Sequence, residues 1–161
     1  MTSFPTWLVP MAATLTQERF TGPEWIFERK YDGIRLLAYK NGDNVELFSR
    51  NQLPQHLPSV VEAVRKLPVQ DAILDGEITC ARGTAGYHVF DVIWLDGRDV
   101  TLLPLEERRE LLAQLPFEAP LRRVELVEDP SPWELAQREG WEGVIAKRLG
   151  STYEHRRSKE W

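Results

Sequence analysis

At 161 residues, 42% of them hydrophobic and 28% charged, the chain can bury one ordinary core and lacks the polar bias of a disordered tail. Its apolar runs are short and MTSFPTWLVPM has no basic segment ahead of a long apolar stretch, so neither a membrane span nor a secretory signal is read and a cytoplasmic protein is expected. A formal net charge of -5 argues against gripping nucleic acid over the whole surface while leaving room for a local basic patch, and a single cysteine, Cys80, excludes an internal disulfide and a cysteine zinc cluster.

In chain order, period-two and short apolar runs predict strands over 25–28, 34–39, 45–49, 72–78, 87–95, 122–127 and 144–147. The turn-forming NGDN at 41–44 joins the second and third into a hairpin over 34–49. Helices are predicted over 58–67, with Val60, Val61, Val64 and Leu67 on one face, and over 104–115, with Leu105, Leu111, Leu112 and Leu115. A third helix starts at SPWE, where Ser131 caps, Pro132 fills the first turn and Glu134 completes a capping box, and it ends near Gly140. PFEAP at 116–120 reads as an exposed connection, and Cys80 as a small core residue. The pattern is α+β, with an antiparallel, strand-rich core.

Chemistry concentrates in four segments. ERKYDGIR, residues 28–35, places Lys30 between an acid and a tyrosine and follows it with Asp32-Gly33 and Arg35. Alone it is equally a surface turn in which the Asp-Gly pair reverses the chain between two strands. LDGEI at 74–78 puts Asp75 and Glu77 on one face of a strand, with Gly76 allowing close approach from the other. YHVFDVIWLDG at 87–97 is a long apolar strand interrupted by Asp91, and EGVIAKR at 142–148 sets Glu142 and Lys147 at opposite ends of an apolar run. Each also reads as a buried strand with charged ends. His56, His88 and His155 show no ligand spacing and read as surface or packing residues, and the six tryptophans as core anchors or groove edges.

Taken together and in this order, KYDGIR, SRN at 49–51, LDGEI, VFDVIWLDG and EGVIAKR resemble the nucleotidyltransferase motifs of ATP-dependent DNA ligases. The opening PMAA and its spacing to ERKYDGIR are similar to the ligase domain of bacterial non-homologous end-joining ligases, and the likeness covers the chain from about Pro10 to Trp161. The resemblance implies an antiparallel-sheet-rich, ATP-grasp-like adenylation domain. Its activity would be to form a lysyl-AMP from ATP, pass the AMP to the 5′-phosphate of a DNA nick, and seal the nick with the 3′-hydroxyl.

By resemblance Lys30 is the nucleophile, and attack requires its neutral amine, favoured by burial, nearby positive charge or a metal. Arg35, close in sequence, is expected to help. Arg35 and Arg50 match positions that hold the nucleotide through guanidinium forks, Glu28 the position beside the adenine, and Glu77 the acid of the ribose and metal region. Phe90 matches the aromatic that stacks on the base, with a core role as the alternative. Glu142 is the best ligand for Mg²⁺ or Mn²⁺, alongside Glu77, and Lys147 would neutralise the α-phosphate.

Implied partners are ATP, nicked or broken double-stranded DNA and end-joining proteins, with no membrane, in a bacterial cytoplasm and at the nucleoid during repair. The family's last motif, with two phosphate-binding lysines, normally follows a tryptophan like Trp161, and an oligonucleotide-binding domain follows that. Residues 1–161 are therefore expected to be a C-terminally incomplete adenylation domain. A nucleotide-binding module without adenylation activity, and an RNA ligase or capping-type nucleotidyltransferase sharing the KxDG lysine, are the alternatives.

Overall fold

The computed structural model describes residues 3–81 and 83–161. Their elements run β1 (Ala12–Ala13), β2 (Trp25–Lys30), β3 (Ile34–Asn41), β4 (Asn44–Ser49), α1 (Pro58–Arg65), β5 (Asp71–Ala81), β6 (Thr84–Leu95), β7 (Arg98–Asp99), α2 (Leu105–Gln114), β8 (Leu121–Arg123), α3 (Pro132–Glu139), β9 (Gly143–Arg148) and β10 (Arg157–Ser158).

One sheet has the order β4-β3-β5-β6-β7, and β8 also pairs with β6. The expected β3–β4 hairpin is present, with Asn41 opposite Asn44 and Gly42 at φ 63° supplying the left-handed turn conformation. β8 lies parallel to β6, which requires a crossover connection, and α2 provides it. Alternation along β3 sends Leu36 and Ala38 into a core shared with Val60 and Val64 of α1 and Leu112 of α2. Leu37 and Tyr39 go the other way, to Met11, Trp94, Tyr153 and Trp161. Because the sheet is covered on both faces, β5 and β6 carry consecutive apolar residues where a half-exposed strand would alternate.

A second, two-stranded antiparallel sheet joins β2 and β9, in register from Trp25 opposite Arg148 to Lys30 opposite Gly143. This changes the meaning of the Asp-Gly pair. β2 pairs with β9 while β3 pairs with β4 and β5, so Asp32-Gly33 does not close a hairpin; it carries the chain from one sheet to the other. Gly33 is needed for space: a Cβ there would stand 2.1 Å from the backbone oxygen of Ile78. Gly76 is equally confined, its Cβ position 2.3 Å from the oxygen of His88, beside a register shift between β5 and β6.

Three expectations are corrected. The strand predicted over 122–127 divides: β8 stays with β6, whereas Leu126 bridges to Glu28 and the Val127 N–H donates to the Phe27 carbonyl at 2.8 Å. Ser131 stands at the N-cap position but makes no side-chain cap, its own N–H donating to Asp129 Oδ1 at 2.8 Å, whereas Pro132 fills the first turn as expected and Gly140 ends the helix left-handed at φ 71°. Cys80 is exposed, because the β5–β6 hairpin runs on past the core before it turns. Among the described residues no helix is long and apolar enough to cross a membrane.

Candidate active site

A cleft of about 970 Å³ opens with walls from both sheets. Glu28, Lys30, Arg35, Arg50, Glu77, Phe90, Glu142 and Lys147, the eight residues singled out from the motifs, all line it. They arrive on β2, β3, the turn after β4, β5, β6 and the two ends of the 142–148 segment, so the fold gathers what the sequence disperses.

Lys30 ends β2 with its side chain 43% exposed, and its Nζ lies 3.6 Å from a carboxylate oxygen of Glu142, itself 39% exposed. Its ionic partner is therefore an acid, and Arg35 does not supply the free positive charge expected beside it. Arg35 donates from Nε and Nη2 to the two oxygens of Asp75, each at 2.6 Å, and from Nη2 to the Met11 carbonyl at 2.7 Å. Burial works against the charged guanidinium, but the charge and hydrogen bonds of Asp75 outweigh it and raise its pKa further. Among the described residues this leaves Nη1 as the guanidinium nitrogen without a hydrogen-bond acceptor, so Arg35 has one uncommitted nitrogen rather than a free fork. Arg50, exposed in the turn after β4, keeps a whole guanidinium for a ligand.

Asp75 is fully buried and also accepts a 2.5 Å hydrogen bond from the Tyr153 hydroxyl, which in turn accepts one from the Met11 N–H. Burial, then the Asp75 charge, push the Tyr153 pKa well above the ordinary phenol value, so the hydroxyl stays a donor. The loop before Tyr153 is held by Arg108, fully buried, which bonds both oxygens of Asp91 and the carbonyls of Leu103 and Ser151. Asp75 was read only for its face, and Tyr153 and Arg108 were missed. Arg108 had a legible signal, since it falls in the α2 stripe between Leu105 and Leu112, where a charge must find a buried partner. Tyr153 had none, its partner being 78 residues away.

On the opposite wall Glu28 is 2% exposed and bonded to Arg109 of α2. Lys147 Nζ stands 2.8 Å from Glu28 Oε1, but the angles are not those of a hydrogen bond and this buried ammonium has no aligned acceptor among the described residues. It sits instead over two rings, 4.4 Å from the centre of Phe90 and 4.2 Å from that of Trp161. Phe90 is also within 5.0 Å of the Arg35 guanidinium, with Trp161 edge-on at 5.8 Å.

Glu77 accepts from the Gly33 N–H at 3.2 Å. Burial above all, with the charges of Glu142 and Asp75 added, raises its pKa. Glu77 and Glu142 are thus two hard-oxygen groups on one cleft, and a cation bound there would offset the charge that Glu142 sets against Glu77. No group of three metal-binding side chains exists among the described residues. The pair fits a divalent ion that takes its remaining ligands from phosphate and water, as Mg²⁺ does.

The cleft brings the lysine of the KYDGIR segment together with the residues of the other segments that resemble nucleotidyltransferase motifs. The family model for the ATP dependent DNA ligase domain matches residues 10–86 and 80–161, and the chain belongs to that family. The multifunctional non-homologous end joining protein LigD of Pseudomonas aeruginosa is 36% identical over 186 residues, spanning 99% of this chain and 22% of that protein. Among solved structures, the ligase domain of M. tuberculosis LigD superposes with a TM-score of 0.79 at 28% identity, over 96% of this chain and 58% of the other. A mycobacterial DNA ligase D complexed with ATP and MES gives 0.78 at 29% identity, with the same coverage. The α+β, nucleotidyltransferase fold is that of these ligases.

Proposed function

We propose that residues 1–161 act as the adenylation domain of an ATP-dependent DNA ligase, with Lys30 as the nucleophile. The observation that carries this reading is the convergence of all eight motif residues on one cleft, Lys30 at its sheet boundary. The neutral Lys30 amine forms the N–P bond to the α-phosphorus of ATP while the bond from phosphorus to the pyrophosphate oxygen breaks. The lysine proton goes to solvent, and its pairing with Glu142 has to be given up first.

Phosphoryl transfer depends on charge neutralisation and in-line placement, and the cleft offers both. Arg50 and the free nitrogen of Arg35 would hold phosphate or ribose oxygens, Phe90 would stack on the base, and Lys147 would move from Glu28 to the α-phosphate. Glu77 and Glu142 would hold Mg²⁺ or Mn²⁺, which supplies neutralisation of phosphate charge when bound. The complex with ATP described for a mycobacterial DNA ligase D supports ATP as the nucleotide.

The chain spans 22% of the P. aeruginosa protein, so the later steps are proposed for the full-length ligase in which such a domain works. There AMP would pass from Lys30 to the 5′-phosphate of a nick in double-stranded DNA, the 3′-hydroxyl would attack that phosphorus and expel AMP as the phosphodiester forms, and end-joining proteins would be its company. The test is mass spectrometry after incubation with ATP and Mg²⁺: an AMP-sized increase is expected on the ligase and none on its Lys30→Ala variant. An adduct that survives Lys30→Ala, or a full-length ligase that never acquires one, ends this reading.

A further inference from the structure

Helix α2 lies outside every motif used above, yet it sends Arg109 into the cleft wall. There Nη1 donates to Glu28 Oε2 and Nη2 to the Val124 carbonyl at 3.3 Å. Glu28 is too buried to be neutralised by water, so its charge rests on two cations, Arg109 and Lys147. The two are held differently. Arg109 is fixed at both ends of its guanidinium, whereas Lys147 is close to Glu28 but unaligned and rests on aromatic faces.

That asymmetry matters if Lys147 has to serve a nucleotide phosphate, because leaving a lone buried carboxylate would strand an uncompensated charge. With Arg109 in place the carboxylate stays paired when Lys147 departs. We propose that Arg109 is a positioning residue of the nucleotide site: it holds the charge of Glu28 so that Lys147 can transfer to the phosphate. The role rests on the nucleotide-binding reading of the cleft. It calls for arginine, since a lysine could pair with Glu28 but could not also reach the Val124 carbonyl with a second, rigidly placed donor.

The experiment is a double-mutant cycle of Arg109→Gln with Glu28→Gln. ATP affinity is read by titration calorimetry, adduct formation by single-turnover rates, and folding by thermal unfolding. With Glu28 present, Arg109→Gln is expected to weaken ATP binding about tenfold, a coupling of ordinary size for residues in contact, with a smaller effect on the rate at saturating ATP. In the Glu28→Gln background the same change is expected to alter affinity by less than about twofold, because no buried carboxylate remains to retain Lys147. Arg109→Lys is expected to fall between, and should Arg109→Gln not fold, the lysine variant completes the cycle.

The inference is overturned if Arg109→Gln lowers the melting temperature but leaves ATP affinity unchanged, or weakens binding equally with and without Glu28. A full-length wild-type ligase that binds ATP but forms no adduct overturns the ligase chemistry and leaves this inference to the cycle. One that binds no ATP removes both.

Discussion

The two walls of the cleft hold their charges in opposite ways. On the six-stranded sheet, Arg35 is locked to Asp75 by two 2.6 Å bonds, Asp75 to Tyr153, and Tyr153 to the backbone of Met11, all under cover of packed aromatics. On the β2–β9 sheet, Lys30 and Glu142 meet at 3.6 Å in partial solvent, and Lys147 touches Glu28 without an aligned hydrogen bond. The groups that must move during the proposed reaction lie on the loose wall. Those that need only be in place lie on the rigid one, as preorganised electrostatic stabilisation requires.

Perturbing each wall sharpens this contrast. Asp75→Ala leaves the Arg35 guanidinium buried beside no carboxylate and the Tyr153 hydroxyl without an acceptor; a loss of about 3–5 kcal/mol in unfolding free energy is expected from urea titration. Tyr153→Phe keeps the ring and removes two hydrogen bonds, the charge-assisted one to Asp75 and the one accepted from the Met11 N–H, so about 2 kcal/mol is expected by the same measurement. A neutral result there would mean that Asp75 is held by Arg35 alone.

His88 tests the seam between the walls, since its ring stacks on Tyr31 at 3.8 Å just beyond Lys30. Burial, followed by the charges of Arg122 and Arg29, lowers its pKa below the ordinary 6.5, so the unfolded chain takes up the proton first. The contribution of neutral His88 is therefore complete above about pH 6.5 and is lost as pH falls through that value toward the folded pKa. Denaturant midpoints of the wild type should show this slope, and those of His88→Phe, which keeps the stack without titrating, should lack it.

The smallest effect on stability is expected from Glu142→Gln, under about 1 kcal/mol, because both partners are substantially exposed. Its effect on Mg²⁺-dependent ATP binding should be much larger. A stability loss rivalling that of Asp75→Ala would erase the distinction between the walls.

Much of the site was legible because its chemistry is written in short motifs, and most strands because their apolar runs are bounded by turn residues. What escaped was pairing at long range. The Asp-Gly of KYDGIR looks like a hairpin turn locally, and only the partner strands of β2 and β3 show that it passes between sheets. The engagement of Arg35 by Asp75, 40 residues away, and of Glu28 by Arg109, 81 residues away, leaves no local periodicity to read. Cys80 and the split of 122–127 were misjudged for the same reason: apolar or β-prone composition says that a segment extends, not where its pairing and its cover end.

That split segment has a consequence for how the molecule comes apart. Within seven residues it is hydrogen-bonded first to β6 of the large sheet and then to β2 of the small one. Peeling either sheet away would break the shared strand, so the two should gain and lose amide protection together, as one cooperative unit. Fluctuations that admit a nucleotide would then have to come from side chains and from the rim of the cleft, with the two sheets staying clasped.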